Sequence, residues 1–124
     1  MPSSDRETVA EFLFKVKEAM TVGLGGEESW HWVPRRGNNE CIAELGFTLR
    51  DVKDVILDLS VADYCDGPCQ DRDEKGDVWI FGTVIEGSEV YIKLKLTEIK
   101  GFRWVRVMSF HFSSSPLTYP FGEK

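Results

Sequence analysis

The sequence predicts an α+β fold, with N-terminal helices packed on one face of an antiparallel β-sheet. Three observations carry this. Apolar residues recur at three- and four-residue spacing twice in the N-terminal half, Val78 to Ile85 is an almost unbroken apolar run, and Val90 to Leu96 alternates strictly. The chain has 124 residues, 42% hydrophobic and 12% aromatic, which suits a single domain over 1–124 with a substantial core and excludes a disordered tail.

The first helix is expected from about Ser4 to Met20, with Val9, Phe12, Leu13, Val16 and Met20 as its apolar stripe. Ser4 followed by Glu7 resembles a capping box, and Gly23, Gly25 and Gly26 end the helix. Ser29 to Val33 is aromatic, short and stopped by Pro34, which suits an extended segment. Asn38 to Leu45 reads as a short helix closed by Gly46. Thr48, with Asp51 three residues on, caps a further helix whose stripe is Leu49, Val52, Val55, Ile56 and Leu59. A loop rich in Asp and Gly is expected from about Ala62 to Asp77. Val78–Ile85 then reads as a strand covered on both sides, Val90–Leu96 as a second and Arg103–Phe112 as a third, joined by turns at Glu86-Gly87-Ser88 and Lys100-Gly101.

The net charge is −6, which taken alone speaks against a nucleic-acid partner. It is unevenly spread: residues 1–76 carry 9 Lys and Arg against 16 Asp and Glu, while residues 77–124 carry 6 against 5. An anion is therefore expected to be handled by the second half. No run approaches the roughly 18 apolar residues of a membrane helix, and Met1 to Arg6 lacks the basic-then-apolar layout of a secretory signal. Three cysteines, an odd number, favour a reducing cytoplasm over a disulfide scaffold.

Register decides what the strands can present. A three-residue loop at Ile99-Lys100-Gly101 pairs Glu98 with Phe102, sets Tyr91 opposite Ser109 and Lys93 opposite Val107, and keeps His111 on their face. A Gly87-Ser88 turn places Gly82 beside Lys93 and Ile80 beside Lys95. One surface then gathers Tyr91, Lys93, Lys95, Arg103 and His111 over a strand thinned by Gly82, and a core face interrupted by Arg106 lies behind it. A one-residue slip in the second hairpin would scatter the cluster.

Asp63-Tyr64, Gly67-Pro68, Val78-Trp79-Ile80-Phe81-Gly82, Val90-Tyr91-Ile92-Lys93-Leu94 and Ser109-Phe110-His111, in this order, resemble the MqsR family of type II toxins. The resemblance runs from about Phe12 to Phe121 and is strongest from Leu57 to His111. It implies a RelE-like fold, a metal-independent endoribonuclease acting on mRNA without a cofactor, and inhibition by a cognate antitoxin, with the free protein a monomer. The family's strand tyrosine is met by Tyr91, the lysine of Tyr-x-Lys by Lys93, and the basic residue after the final Ser-Phe by His111, in place of the lysine of the best-known member. The chain departs from the pattern at Asp66, where lysine is common, and at Ile80, where a glutamine stands.

Metal-free RNA cleavage turns the 2′-hydroxyl on the adjacent phosphorus. It needs a base for that hydroxyl, a cation for the phosphorane charge and an acid for the departing 5′-oxygen. Histidine titrates near neutrality and suits proton transfer. The expected roles are therefore acid/base work for His111, charge stabilisation for Lys93, positioning for Tyr91 and phosphate tracking for Lys95 and Arg103. The blander reading makes the lysines solvated strand residues and Tyr91 and His111 packing residues, with Trp30, Trp32, Trp79 and Trp104 in the core or at a subunit contact. At the level of function, the alternative is a non-catalytic interaction module that keeps the fold and the antitoxin-binding surface, which Asp66 and Ile80 favour; an unrelated cytoplasmic adaptor stands behind it. No metal is expected: Cys65 and Cys69, even with His31 and Cys41, do not have zinc-ribbon spacing, and Asp71-x-Asp73 fails as a calcium loop because Gly82 stands where the bidentate glutamate is required.

Overall fold

The computed structural model describes residues 3–21 and 29–122. Helix α1 spans Arg6–Thr21 and buries the expected stripe of Val9, Phe12, Leu13, Val16 and Met20. Its start differs from the Ser4–Glu7 pattern. The Asp5 carboxylate accepts the N–H of Thr8 at 2.9 Å, while Ser4 Oγ donates to the carbonyl of Gly67 at 3.0 Å. Gly23, Gly25 and Gly26 lie outside the described residues. Helix α2, Arg36–Leu45, ends on Gly46 in the left-handed region. Helix α3, Leu49–Leu57, opens with the reciprocal Thr48–Asp51 capping box. No described helix is long and apolar enough to cross a membrane.

Five strands form one sheet: β1 Trp30–Trp32, β2 Tyr64–Gln70, β3 Asp77–Ile85, β4 Ser88–Ile99 and β5 Phe102–Phe112, in the order β1-β5-β4-β3-β2. The antiparallel meander of β3 to β5 is as expected, but β1 adds to β5 in parallel, so the sheet is mixed. Strand β2 corrects the loop expected over these residues. Its sequence, YCDGPCQ, has no period-two apolar pattern and contains a cis Gly67-Pro68 bond. It survives because it is an edge strand, where proline's missing N–H deprives no neighbour. Tyr64 anchors it, fully buried, donating its hydroxyl to the carbonyl of Gly67 at 2.6 Å.

Both hairpins turn in two residues: the first at Glu86-Gly87, one position before the expected Gly87-Ser88 turn, and the second at Lys100-Gly101 in place of the expected three-residue loop. Glu86-Gly87 and Lys100-Gly101 hold positive φ at both central positions (51° and 83°; 52° and 81°), the turn that matches strand twist. In the first hairpin Ile85 pairs with Ser88, which sets Gly82 beside Tyr91 and Ile80 beside Lys93. This is a two-residue displacement from expectation, so the faces are kept. In the second, Ile99 pairs with Phe102, one residue from expectation, which by itself would reverse every side chain of β5. A bulge then intervenes: Leu94 faces Val107 but Lys93 faces Ser109, leaving Met108 as the extra residue. Residues 109–112 thereby recover their expected faces, and residues 103–107 exchange theirs.

The exchange removes a conflict. Val105 and Val107 enter the core at 0% exposure, and Arg106 leaves it for the opposite face, so the anticipated interruption of the core is absent. The core joins Val90, Ile92, Leu94 and Phe110 of the sheet to α1 and to Val52 and Ile56 of α3. Phe12 stacks on Trp79 with ring centroids 4.3 Å apart, and an aromatic pair of this kind adds roughly 0.5–1.5 kcal/mol beyond its buried area. Beyond β1, the Asn38 amide closes the edge of β5. It donates to the carbonyl of Met108 at 3.1 Å and accepts the N–H of Phe110 at 3.0 Å.

Candidate active site

On the sheet face turned away from α1, register brings residues distant in sequence into two adjacent rows. One row runs Asp66, Ile80, Lys93, Ser109, and the next runs Gly82, Tyr91, His111. Tyr91 and His111 are direct cross-strand partners, with rings 15° from parallel and centroids 5.2 Å apart. Lys93 stands one row away, facing Ser109 rather than Val107. Asp66 and Ile80, the two departures from the family pattern, are paired with each other.

Each group has a defined chemical state. His111 Nδ1 lies 3.1 Å from the carbonyl of Phe112. A carbonyl only accepts, so this contact places a proton on Nδ1 and leaves Nε2 as the ring nitrogen it does not engage. Burial, with the Asp66 carboxylate a smaller cause in the same direction, pushes the Tyr91 phenol above its ordinary value, which keeps it a donor at neutral pH. Burial also raises Asp66, but hydrogen bonds from Ser3, from the Gly67 N–H and from Cys69 outweigh it and hold the carboxyl below its usual range. Asp66 is therefore a charged, internally satisfied group of β2. Burial drives the Cys65 thiol up to about 12, so it is not a nucleophile at neutral pH.

Tyr91 and Lys93 line a cleft of about 320 Å³. Val78, Ile80 and Met108 form its apolar part, and Arg35 and Arg72 stand at its margin with Asp71 and Asp73. His111 does not line this cleft. It opens instead on a neighbouring groove with Cys41, Glu40 and Glu44 of α2, and the Tyr91 ring links the two. Arg35 and Arg72 were not singled out from the sequence. The Arg35-Arg36 pair after Pro34 was the available signal for one; Arg72, inside an acidic segment, offered none. The bulge brings Met108 into the cleft, and no sequence pattern marks it.

The remaining two candidates are placed differently from expectation. Lys95 shares the face of Lys93, but its side chain is only 2% exposed, and its ammonium lies 2.6 Å from Asp71 and 3.9 Å from Glu74. The acidic segment after β2 folds back over this part of the sheet, and Glu74 also takes Arg106 at 3.1 Å. Lys95 is thus an internal counter-charge and has no free ammonium for phosphate. Arg103 lies on the helix-covered face, 3.7 Å from Glu18 of α1, because the two-residue turn moved it there.

Gly82 thins β3 as expected, but the space is already used. A Cβ there would fall 2.5 Å from both Leu117 Cδ1 and Tyr119 Oη. The C-terminal segment is fixed over this row by Glu89, which accepts the N–H of Leu117 at 2.9 Å and the Tyr119 hydroxyl at 2.7 Å. Among the tryptophans, Trp79 is buried, Trp30 and Trp32 pack partly against the core, and Trp104 lines a separate cavity with His31. Among the described residues no cluster of three or more metal-ligating side chains forms. Comparison with protein-family models, curated proteins and solved structures finds no match for this chain.

Proposed function

We propose that the chain is a RelE-like endoribonuclease of the MqsR type: a cytoplasmic toxin, restrained by a cognate antitoxin, that cleaves mRNA without a metal. The observation that carries this reading is that Lys93, Tyr91 and His111 stand on one sheet face in two adjacent rows, Lys93 and Tyr91 lining a cleft with two arginines and His111 stacked on Tyr91 at the neighbouring groove. In the proposed step His111 Nε2 takes the proton of the 2′-hydroxyl, whose oxygen bonds to phosphorus. The Lys93 ammonium neutralises the phosphorane, and the Tyr91 hydroxyl donates to a non-bridging oxygen. The P–O5′ bond breaks and the 5′-oxygen gains the proton that His111 took up, leaving a 2′,3′-cyclic phosphate and a 5′-hydroxyl.

The competing reading, a non-catalytic interaction module, is favoured by the Asp66–Ile80 pair, which sets a carboxylate and an aliphatic chain in the row of Lys93. Incubation of the purified protein with defined RNA in the presence of a chelator separates the two. Cyclic-phosphate ends that disappear in His111→Ala, with thermal unfolding unchanged, support the nuclease. Intact RNA with the wild-type protein refutes it and favours the module, whereas cleavage unchanged in His111→Ala overturns the role assigned to His111.

A further inference from the structure

We infer that the cleft beside Lys93 is a binding subsite for one unpaired nucleotide of the RNA strand, with Arg35 and Arg72 holding the phosphate that flanks the scissile one. The inference rests on the nuclease reading and extends it to residues that the family pattern does not supply.

Charge within this face argues for the location. Lys95 and Arg106 are engaged by Asp71 and Glu74, whereas Lys93, Arg35 and Arg72 have no carboxylate within ion-pair distance among the described residues. Of the two carboxylates lining the cleft, Asp71 is committed to Lys95, which leaves Asp73 there, while the Asp66 carboxylate along the row of Lys93 is taken up by Ser3, the Gly67 N–H and Cys69. In a chain of net charge −6 this is a local excess of positive charge, and it sits beside the residues proposed to act on phosphorus. The acidic segment thus serves two ends: it quenches cations further along the sheet and carries Arg72 to the cleft margin.

Shape and polarity set the occupant. About 320 Å³ is at the low end of the roughly 300–1,000 Å³ of small-ligand sites, room for one nucleotide rather than several. Ile80 and Met108 line the cleft beside the Tyr91 ring, and sequence-tolerant recognition of unpaired RNA combines an aromatic face for the base with backbone cations. Ile80, the departure from the family pattern, then has a use: it gives the base an apolar contact where a glutamine would offer hydrogen bonds.

The test separates binding from cleavage with a short, fully 2′-O-methylated RNA, which lacks the nucleophile. Its affinity is measured by fluorescence polarisation over a salt series for the wild type, Arg35→Gln, Arg72→Gln, the double variant and, as a control outside the cleft, Arg50→Gln on α3. Each cleft arginine variant should bind about tenfold more weakly, with the log–log salt slope shallower by about 0.7 per arginine. Arg50→Gln should bind as the wild type does. Double-variant affinity within twofold of the wild type, or an equal loss in Arg50→Gln, overturns the subsite. If the pattern holds but unmodified RNA stays intact, the subsite stands and the nuclease reading falls; if the wild type binds no RNA, both fall.

Discussion

Tyr91 and His111 face each other across β4 and β5 with their rings 5.2 Å apart and nearly parallel. The stack restricts the imidazole plane while the Phe112 carbonyl holds its Nδ1, so two contacts orient one proton acceptor. The proposed mechanism therefore gives Tyr91 two separable duties, a ring that positions and a hydroxyl that donates. Tyr91→Phe keeps the first and should slow cleavage by roughly 10- to 100-fold through loss of a hydrogen bond to a charged oxygen. Tyr91→Ala removes both and should cost more, with a shifted pH profile in single-turnover cleavage; equal effects of the two variants would leave the ring without a positioning role.

Lys93→Ala should lower the rate of the chemical step by roughly 100- to 1,000-fold, the usual consequence of removing a group aimed at developing negative charge. Single-turnover rates at saturating protein read this directly, because they exclude the binding contribution.

Arg103→Ala should leave RNA binding and cleavage unchanged. Its partner Glu18 is on α1, on the other side of the sheet, and both side chains are largely exposed, so stability should change by less than ~1 kcal/mol. Gel-based cleavage with a melting curve checks both parts.

Asp71 makes acid stability depend on the folded-back segment. The Lys95 hydrogen bond, then the Asp73 N–H, hold its carboxyl at about 2, below its ordinary value of 3.8. A depressed carboxyl stabilises the folded state fully above its unfolded pKa, and that contribution is lost as pH falls from about 4 to about 2. Asp71→Asn should therefore melt below the wild type at neutral pH, with the gap narrowing across this window. Thermal scans between pH 6 and pH 2, as a fixed series, measure it. Lys95→Met should be milder than Asp71→Asn, since it leaves no enclosed ammonium without a partner.

Gly82→Ala should displace the C-terminal segment, because Leu117 and Tyr119 occupy the place of the new methyl. Faster proteolysis after residue 116, with the core intact by circular dichroism, is the expected result.

The helices were legible because their signals are local: the Thr48–Asp51 box and the stripe from Val9 to Met20 each lie within one element. The strand faces were harder. A turn of Lys100-Gly101 permits two- or three-residue closure, and nothing in the composition around Met108 announces a bulge, yet the two together decide where Arg103 and Arg106 point. His111 was placed on the correct face because two one-residue errors cancelled. Strand β2 stayed hidden because an edge strand held by one buried tyrosine needs no alternation. Lys95 could not be distinguished from Lys93 by sequence, since what separates them is a segment that folds back from more than twenty residues away.

The side-chain amide of Asn38 mimics a peptide group, donating and accepting on alternate sides of one residue of β5. Main chain from a second molecule consequently finds no vacant rung there. Growth of the sheet into a ribbon is left to the three-residue β1 and to β2, which is interrupted by proline and two register shifts. Short or irregular borders of this kind are poor templates for polymerisation, so the fold carries its own guard against fibre formation at the rim nearest the rows of Lys93 and His111.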